Sequence, residues 1–142
     1  MSNNRQDDLS FHMRIPADKC FTKNALLSLD GICDHFCFTE QSRDRIKKAL
    51  ETALNNSIEV IYQKESGLFE LQFSIYKNKM MISIEDYPIN SKEISDSIES
   101  NSDDIKNMLS SVKELTDGMS FINKKGRTSC YSMSFDVSYI EN

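Results

Sequence analysis

The polar residues whose spacing best fits a site lie along one predicted helix. Glu51, Asn55 and Glu59 follow one another at intervals of four residues, so on a helix they line a single edge. That edge borders the apolar stripe of the helix, which would bring Glu51 and Asn55 to the rim of the core. A solvated polar stripe has the same spacing, and on spacing alone it is the more frequent explanation.

Two later features could complete a site with this helix edge. Asp86 ends an apolar strand where the chain leaves the predicted sheet. A carboxylate there can accept a hydrogen bond from a purine amine, although residues of this kind also cap turns. Gly126 and Thr128 open the final strand, where glycine permits close approach to a ligand and threonine offers a hydroxyl. The order of these features along the chain carries more weight than any one of them.

The cysteines do not form a convincing metal site. Cys33 and Cys37 are one helical turn apart with His35 between them, which resembles half of a zinc site. Cys20 and Cys130 stand alone, so no second pair has suitable spacing. We therefore predict buried, unmodified thiols and no metal bound through cysteine.

The composition is that of a globular protein and excludes several partners. The chain has 142 residues, of which 39% are hydrophobic and 27% charged, enough for one domain with a core. A formal net charge of −5 disfavours nucleic-acid binding, since phosphate contacts need clustered Lys and Arg. No apolar run reaches the roughly 18 residues that span a bilayer, and residues 1–8 are polar, unlike a signal peptide. We therefore expect a cytoplasmic protein without nucleic-acid or membrane partners.

Hydrophobic periodicity divides the chain into eight elements in the order β-α-α-β-β-α-β-β. Alternating apolar residues predict strands, and apolar residues three and four apart predict helices, with Thr22 and Thr39 as N-caps. The strands are expected at residues 11–15, 69–75, 80–84, 119–122 and 129–137, and the helices at 22–36, 46–61 and 105–115. This pattern predicts an α+β two-layer sandwich, with a mixed sheet covered on one face by three helices. Residues 1–10 are expected to be a flexible tail, and residues 11–142 a single domain.

Several segments resemble a known family. They are similar to the anti-sigma-factor serine kinases of bacterial partner-switching systems, which have the GHKL histidine-kinase-like ATPase fold. The similarity runs from about residue 11 to 137 and is closest before Asp86. The segments that carry it are Met13-Arg14-Ile15-Pro16-Ala17, Leu27-Ser28-Leu29-Asp30-Gly31-Ile32-Cys33, Phe38-Thr39-Glu40 and the helix of residues 46–62.

The resemblance implies roles for the polar residues described above. In that family a helix glutamate is the general base, and the asparagine four residues later holds Mg²⁺ on the phosphates of ATP. Those roles fall on Glu51 as the catalytic residue and on Asn55 as the metal and cofactor ligand. The adenine-reading aspartate would be Asp86, and Gly126 and Thr128 would contact the nucleotide. We expect Glu51, Asn55 and Asp86 to face one cavity. The family also implies a homodimer through the first helix and its neighbour.

The chain departs from the family where the phosphates would bind. The family has glycines just after the adenine-reading aspartate, but Asp86 is followed by Tyr87-Pro88, and proline cannot adopt a positive φ. The second glycine motif is replaced by residues 100–105, which contain Asp103 and Asp104 and no glycine. A carboxylate about 6 Å from a phosphate costs roughly 3 kcal/mol at an effective dielectric near 20. ATP and Mg²⁺ are thus the implied ligands, with weak or lost binding.

Three functions remain open from the sequence. The favoured one is a regulatory protein that binds a sigma factor or an anti-anti-sigma antagonist, with little or no kinase activity. The alternative is an active serine/threonine kinase that phosphorylates such an antagonist, with Glu51 as base. The third is a structural module in a larger signalling assembly, in which Asn55 and Asp86 affect stability alone.

Overall fold

The computed structural model describes residues 9–59, 67–88, 102–123 and 129–141. Within those ranges the element order is the predicted one, β-α-α-β-β-α-β-β. The strands are β1 (Leu9–Pro16), β2 (Gly67–Tyr76), β3 (Lys79–Pro88), β4 (Gly118–Asn123) and β5 (Ser129–Asp136), and the helices are α1 (Lys19–Phe36), α2 (Glu40–Ser57) and α3 (Ser102–Lys113). Strand β1 starts two residues inside the segment that we expected to be a flexible tail.

The described strands form one sheet in the order β1-β2-β3-β5-β4. The α+β architecture is confirmed, but the expectation of a mixed sheet was wrong, because every pair of neighbouring strands is antiparallel. The cause is the pair of helices between β1 and β2. Since α1 and α2 run out and back, the chain returns to the sheet at the end where β1 left it, and the backbone N–H of Ala17 donates to the carbonyl of Gly67 at 2.9 Å.

The two faces of the sheet differ in polarity, as the alternation of the strand residues predicts. The inward face packs under the helices and supplies the buried side chains of the central strands, including Phe69, Leu71, Phe73, Ile75, Met80, Ile82, Ile84, Tyr131, Met133 and Phe135. The outward face carries mainly small and polar residues, together with the exposed side chains of Leu68, Tyr76 and Met81. One row of partners across the strands consists of His12, Gln72, Ser83, Ser132 and Ser120.

Helix α1 begins earlier than the sequence predicted. Its N-cap is Asp18, whose carboxylate accepts a hydrogen bond from the backbone N–H of Cys20 at 2.9 Å. Thr22, our expected cap, lies inside the helix and is buried, because the helix extends by one turn toward Pro16. The predicted cap of α2 is confirmed, since the hydroxyl of Thr39 accepts from the N–H of Ser42 at 3.3 Å.

Ion pairs accompany the packing of α1 on α2. Lys47 pairs with Asp30 at 3.2 Å, and Arg43 pairs with Asp34. The basic residues Arg43, Arg45 and Lys47 near the start of α2 therefore each pair with an aspartate, Arg45 with Asp117 at 2.7 Å. Within the described part of the chain, no helix is long and apolar enough to cross a bilayer.

No disulfide joins the four cysteines, and their environments differ. Cys33 is buried, and desolvation raises the pKa of its thiol to about 11. Cys20 and Cys37 are exposed, so our expectation of burial holds for Cys33 and fails for these two. The described residues contain no group of three His, Cys, Asp or Glu side chains that could hold a metal ion.

Candidate functional site

Asp86 lies on the inward face of the sheet, near the end of β3. It continues the alternation of Met80, Ile82 and Ile84, which all point toward the helices, and its side chain is fully buried. Burial of a carboxylate in an apolar layer is costly, so a core position filled by aspartate is a candidate functional position. The sequence singled out this residue by its place at the strand end, and the structure places it inside the protein.

Two hydroxyl groups lie with Asp86 under helix α2. The Ser57 hydroxyl donates a hydrogen bond to the Tyr131 hydroxyl at 3.2 Å, and both side chains are fully buried. Burial raises the pKa of the Tyr131 phenol, and the negative charge of Asp86 raises it further. Because Ile84 is the partner of Tyr131 between β3 and β5, Asp86 lies two residues further along the same face of the sheet. We refer to Ser57, Tyr131 and Asp86 as the buried polar cluster.

Three consecutive polar residues at the end of α2 point to three different elements. The Asn55 side-chain oxygen accepts a hydrogen bond from Thr22 of α1 at 3.3 Å. The Asn56 side-chain amide donates to Ser111 of α3 at 3.2 Å, and Ser57 reaches Tyr131 of β5. This divergence follows from helix geometry, since successive side chains are about 100° apart around the axis.

The structure does not bring Glu51 or Asn55 to Asp86. Asn55 and Ser57 are about 200° apart around α2, so Asn55 faces away from the cluster that contains Asp86. Glu51, one turn before Asn55, is exposed, and Glu59, one turn after it, pairs with Lys19 of α1 at 2.5 Å. The expected common cavity was therefore wrong, because the helix phase turns this edge away from the sheet. The roles of Glu51 as base and Asn55 as metal ligand remain predictions.

Asn56 is the polar residue that our sequence reasoning missed. The buried positions of α2 fix its phase, and Asn56 lies beside that buried stripe on the side of α3. The residue one turn earlier on the same side is Thr52, which is half-buried. The apolar periodicity of the helix could have identified Asn56. It places Asn56 beside the buried stripe that contains Ser57, and it places Asn55 on the far side of the helix.

Gly126 and Thr128 lie outside the described residues. Asp103 and Asp104 belong to the first turn of α3, which begins at Ser102. Negative residues in a first turn favour the helix but compete with a phosphate for the positive end of its dipole.

A polar cleft lies at the other end of α2. It has a volume of about 450 Å³ and is lined by Gln41, Ser42, Arg45, Asp136 and Ser138. The Ser42 hydroxyl accepts a hydrogen bond from the N–H of Ser138 at 3.0 Å. These residues connect α2 to the end of β5, and we interpret the cleft as part of the packing contact between the two elements.

Comparison with known proteins gives one partial similarity. No family model matches the chain. A stretch of 75 residues is 31% identical to serine-protein kinase RsbW of Oceanobacillus iheyensis. The chain is similar to that kinase. The match covers 52% of this chain and 48% of the kinase, so the chain spans about half the length of the relative.

Proposed function

We propose that this protein is an anti-sigma-factor-like regulator of a bacterial partner-switching system that acts by binding a protein. The partner would be a sigma factor or an anti-anti-sigma antagonist. The similarity to RsbW supports the class of protein. We also propose that the protein acts without transferring phosphate. The arrangement of polar residues around α2 supports this part of the proposal.

A kinase of this kind needs a carboxylate base beside its metal-binding amide. A general base must reach the proton that it removes, directly or through one water. On the side of α2 nearest the buried polar cluster, the amide is Asn56 and the residue one turn earlier is Thr52. A threonine hydroxyl is a poor base at neutral pH. The exposed Glu51 lies on the opposite side of the helix, so it is badly placed to act as the base beside Asn56.

Asp86 and the segment that follows it also disfavour nucleotide binding. Asp86, the implied adenine reader, is fully buried beside Tyr131. The segment after it begins with Tyr87-Pro88, which cannot supply the glycine backbone that cradles phosphate. Each acidic residue near a triphosphate would lower affinity by roughly a hundredfold. We therefore propose that ATP and Mg²⁺ binding is weak or lost.

A titration of the protein with fluorescent ATP tests this proposal. We expect no Mg²⁺-dependent binding at concentrations below about 1 mM, the regime of nonspecific affinities. A micromolar affinity that requires Mg²⁺ would overturn the loss of nucleotide binding. The control is the same titration with EDTA, because binding through the adenine ring alone would not depend on the metal.

The second candidate is an active serine kinase, and the similarity to a serine-protein kinase favours it. It requires Glu51 as base and a protein serine as acceptor. We expect no transfer of radiolabelled phosphate from ATP to an antagonist domain encoded beside this protein. Transfer that disappears in Glu51→Gln but survives in Glu59→Gln would establish the kinase and reject the binding-only proposal.

A further inference from the structure

Strand β4 has an open edge. Among the described strands it has one neighbour, β5, so every second residue of Gly118–Asn123 directs its backbone N–H and C=O groups away from the sheet. Edge strands are usually protected from further pairing by a charged residue or a proline. The other edge strand, β1, carries both, in Arg14 and Pro16, whereas β4 has neither. β4 is therefore the edge at which a further strand can pair.

A groove on the outward face of the sheet adjoins this edge. It has a volume of about 250 Å³, and its lining includes Met81, Gly118, Ser120, Ser132 and Ser134. Met81 is 47% exposed and supplies an apolar wall, and the serines supply a floor of small side chains. The groove is therefore large enough to hold one leucine or phenylalanine side chain.

Gly118 keeps the groove open toward the edge of β4. A Cβ atom at this position would lie 2.7 Å from the hydroxyl oxygen of Ser134, closer than two such atoms can approach. Because no side chain stands at position 118, a side chain on a strand paired with β4 can lie across this glycine and enter the groove. Large side chains on a neighbouring strand stabilise edge glycines in this way.

The charged residues next to the groove form ion pairs. Lys79 pairs with Asp136 at 3.2 Å, and Arg45 pairs with Asp117, just before β4, at 2.7 Å. The strand itself carries no charged side chain. This edge therefore complements an uncharged strand, since a charge placed there would lose water without gaining a partner.

We propose that the open edge of β4 binds an extended, uncharged segment of a partner protein, which pairs with β4 as a further strand and places a leucine or aromatic side chain over Gly118. Backbone hydrogen bonds give affinity in this mode of binding, and pockets for alternate side chains give specificity. The surface contains no residue of α2 and does not contain Asp86, so the inference goes beyond the proposed function and is independent of ATP binding.

The first experiment measures the binding of synthetic peptides to the whole protein. Four fluorescein-labelled heptapeptides have valine at the odd positions, threonine at positions two and six, and leucine, phenylalanine, alanine or aspartate at the centre. We expect the leucine and phenylalanine peptides to bind with a Kd below about 0.5 mM. The alanine peptide should bind about tenfold more weakly, because it buries less apolar surface, and the aspartate peptide more weakly still.

Backbone methylation tests whether the peptide binds as a strand. In a paired strand only alternate N–H groups face the neighbour. Methylation of one alternate set of backbone nitrogens in the leucine peptide should therefore abolish binding, and methylation of the other set should not. Amide hydrogen exchange gives a second readout on the wild-type protein, since the leucine peptide should slow exchange in β4 and leave β1 unchanged.

Two matched variants identify the edge that binds. Ser120 and His12 lie in the same row of partners at the two opposite edges of the sheet, and both are exposed. Ser120→Lys should weaken binding of the leucine peptide at least about tenfold, because lysine protects an edge from pairing, and His12→Lys should leave it unchanged. Gly118→Ala combined with Ser134→Ala avoids the close contact and should reduce the preference for leucine over alanine severalfold.

The outcomes are distinct from those of the proposed function. Folded wild-type protein that binds neither the leucine nor the phenylalanine peptide overturns this inference, and so do equal effects of Ser120→Lys and His12→Lys. A wild-type dimer that becomes monomeric in Ser120→Lys shows that a second copy occupies the edge and rejects the partner segment. Micromolar binding of MgATP together with the expected peptide binding overturns the loss of nucleotide binding alone.

Discussion

Arg45 of α2 donates two hydrogen bonds to the carboxylate of Asp117, at 3.2 and 2.7 Å. The same guanidinium donates to the carbonyl oxygen of Asp136 at 2.9 Å. Asp117 in turn accepts from the backbone N–H of Asp136 at 2.7 Å. The pair therefore joins α2 to the turn before β4 and to the end of β5, three segments that are distant in the sequence.

Asp117 should make the stability of the protein depend on pH in the acid range. The backbone N–H of Asp136, followed by Arg45, lowers the pKa of Asp117 below its ordinary value of 3.8. A lowered pKa in the folded state adds stability above the unfolded pKa, and this stability is lost as the pH falls through the folded value. We expect Asp117→Asn to cost about 1 kcal/mol at pH 7, since the pair is partly exposed, and less below pH ~4.

Urea denaturation of both proteins between pH 7 and pH ~2 measures that difference. Asp44→Asn removes an exposed carboxylate from the same helix and should change the free energy of unfolding by less than about 0.5 kcal/mol. A cost of Asp117→Asn that stays constant down to the lowest pH would show that its charge does not matter.

The hydrogen bond between Ser57 and Tyr131 should be measurable as a coupling. Ser57→Ala removes a buried donor and should lower the free energy of unfolding by about 1 kcal/mol. Tyr131→Phe should cost a similar amount, because it leaves the buried Ser57 hydroxyl without this acceptor. In a double-mutant cycle the two effects should not add, with a coupling of about 0.5–1.5 kcal/mol. Additive effects would show that the hydroxyls do not interact.

The two adjacent asparagines of α2 should affect different helices. Asn56→Ala removes the amide that donates to Ser111, so we expect about two- to tenfold faster hydrogen exchange in α3. Asn55→Ala is the matched control, because its side chain contacts Thr22 of α1, and it should leave exchange in α3 unchanged. Equal effects of both variants on α3 would contradict the helix phase described above.

Leu27 offers a test of the homodimer through α1 that the family resemblance implies. Its side chain is 69% exposed, so replacing it costs the monomer little stability. If α1 forms the interface, Leu27→Glu should shift the protein from dimer to monomer in sedimentation experiments, since a charge would be buried at a contact between copies. Asn107→Glu adds the same charge to an exposed position on α3 and should leave the oligomeric state unchanged. A dimer that tolerates Leu27→Glu excludes this face.

Local patterns in the sequence determined the element order, the α+β class and the N-cap at Thr39. Alternation and helical spacing are set by neighbouring residues, so they can be read without knowing the fold. The inward position of Asp86 follows from the same alternation along β3. The missing glycines after Asp86 and before α3 are equally local, and they motivate the proposed loss of ATP binding.

Only the tertiary structure decided which polar side chains meet. The edge formed by Glu51 and Asn55 was visible in the sequence, but its direction depends on how α2 is rotated against the sheet. A rotation of 100° per residue separates Asn55 from Asn56 and Asn56 from Ser57, so neighbours in the chain contact different elements. The antiparallel strand pairing depends on contacts between segments that are distant in the sequence, and so does the contact of Ser57 with Tyr131. Packing of the whole core determines these contacts.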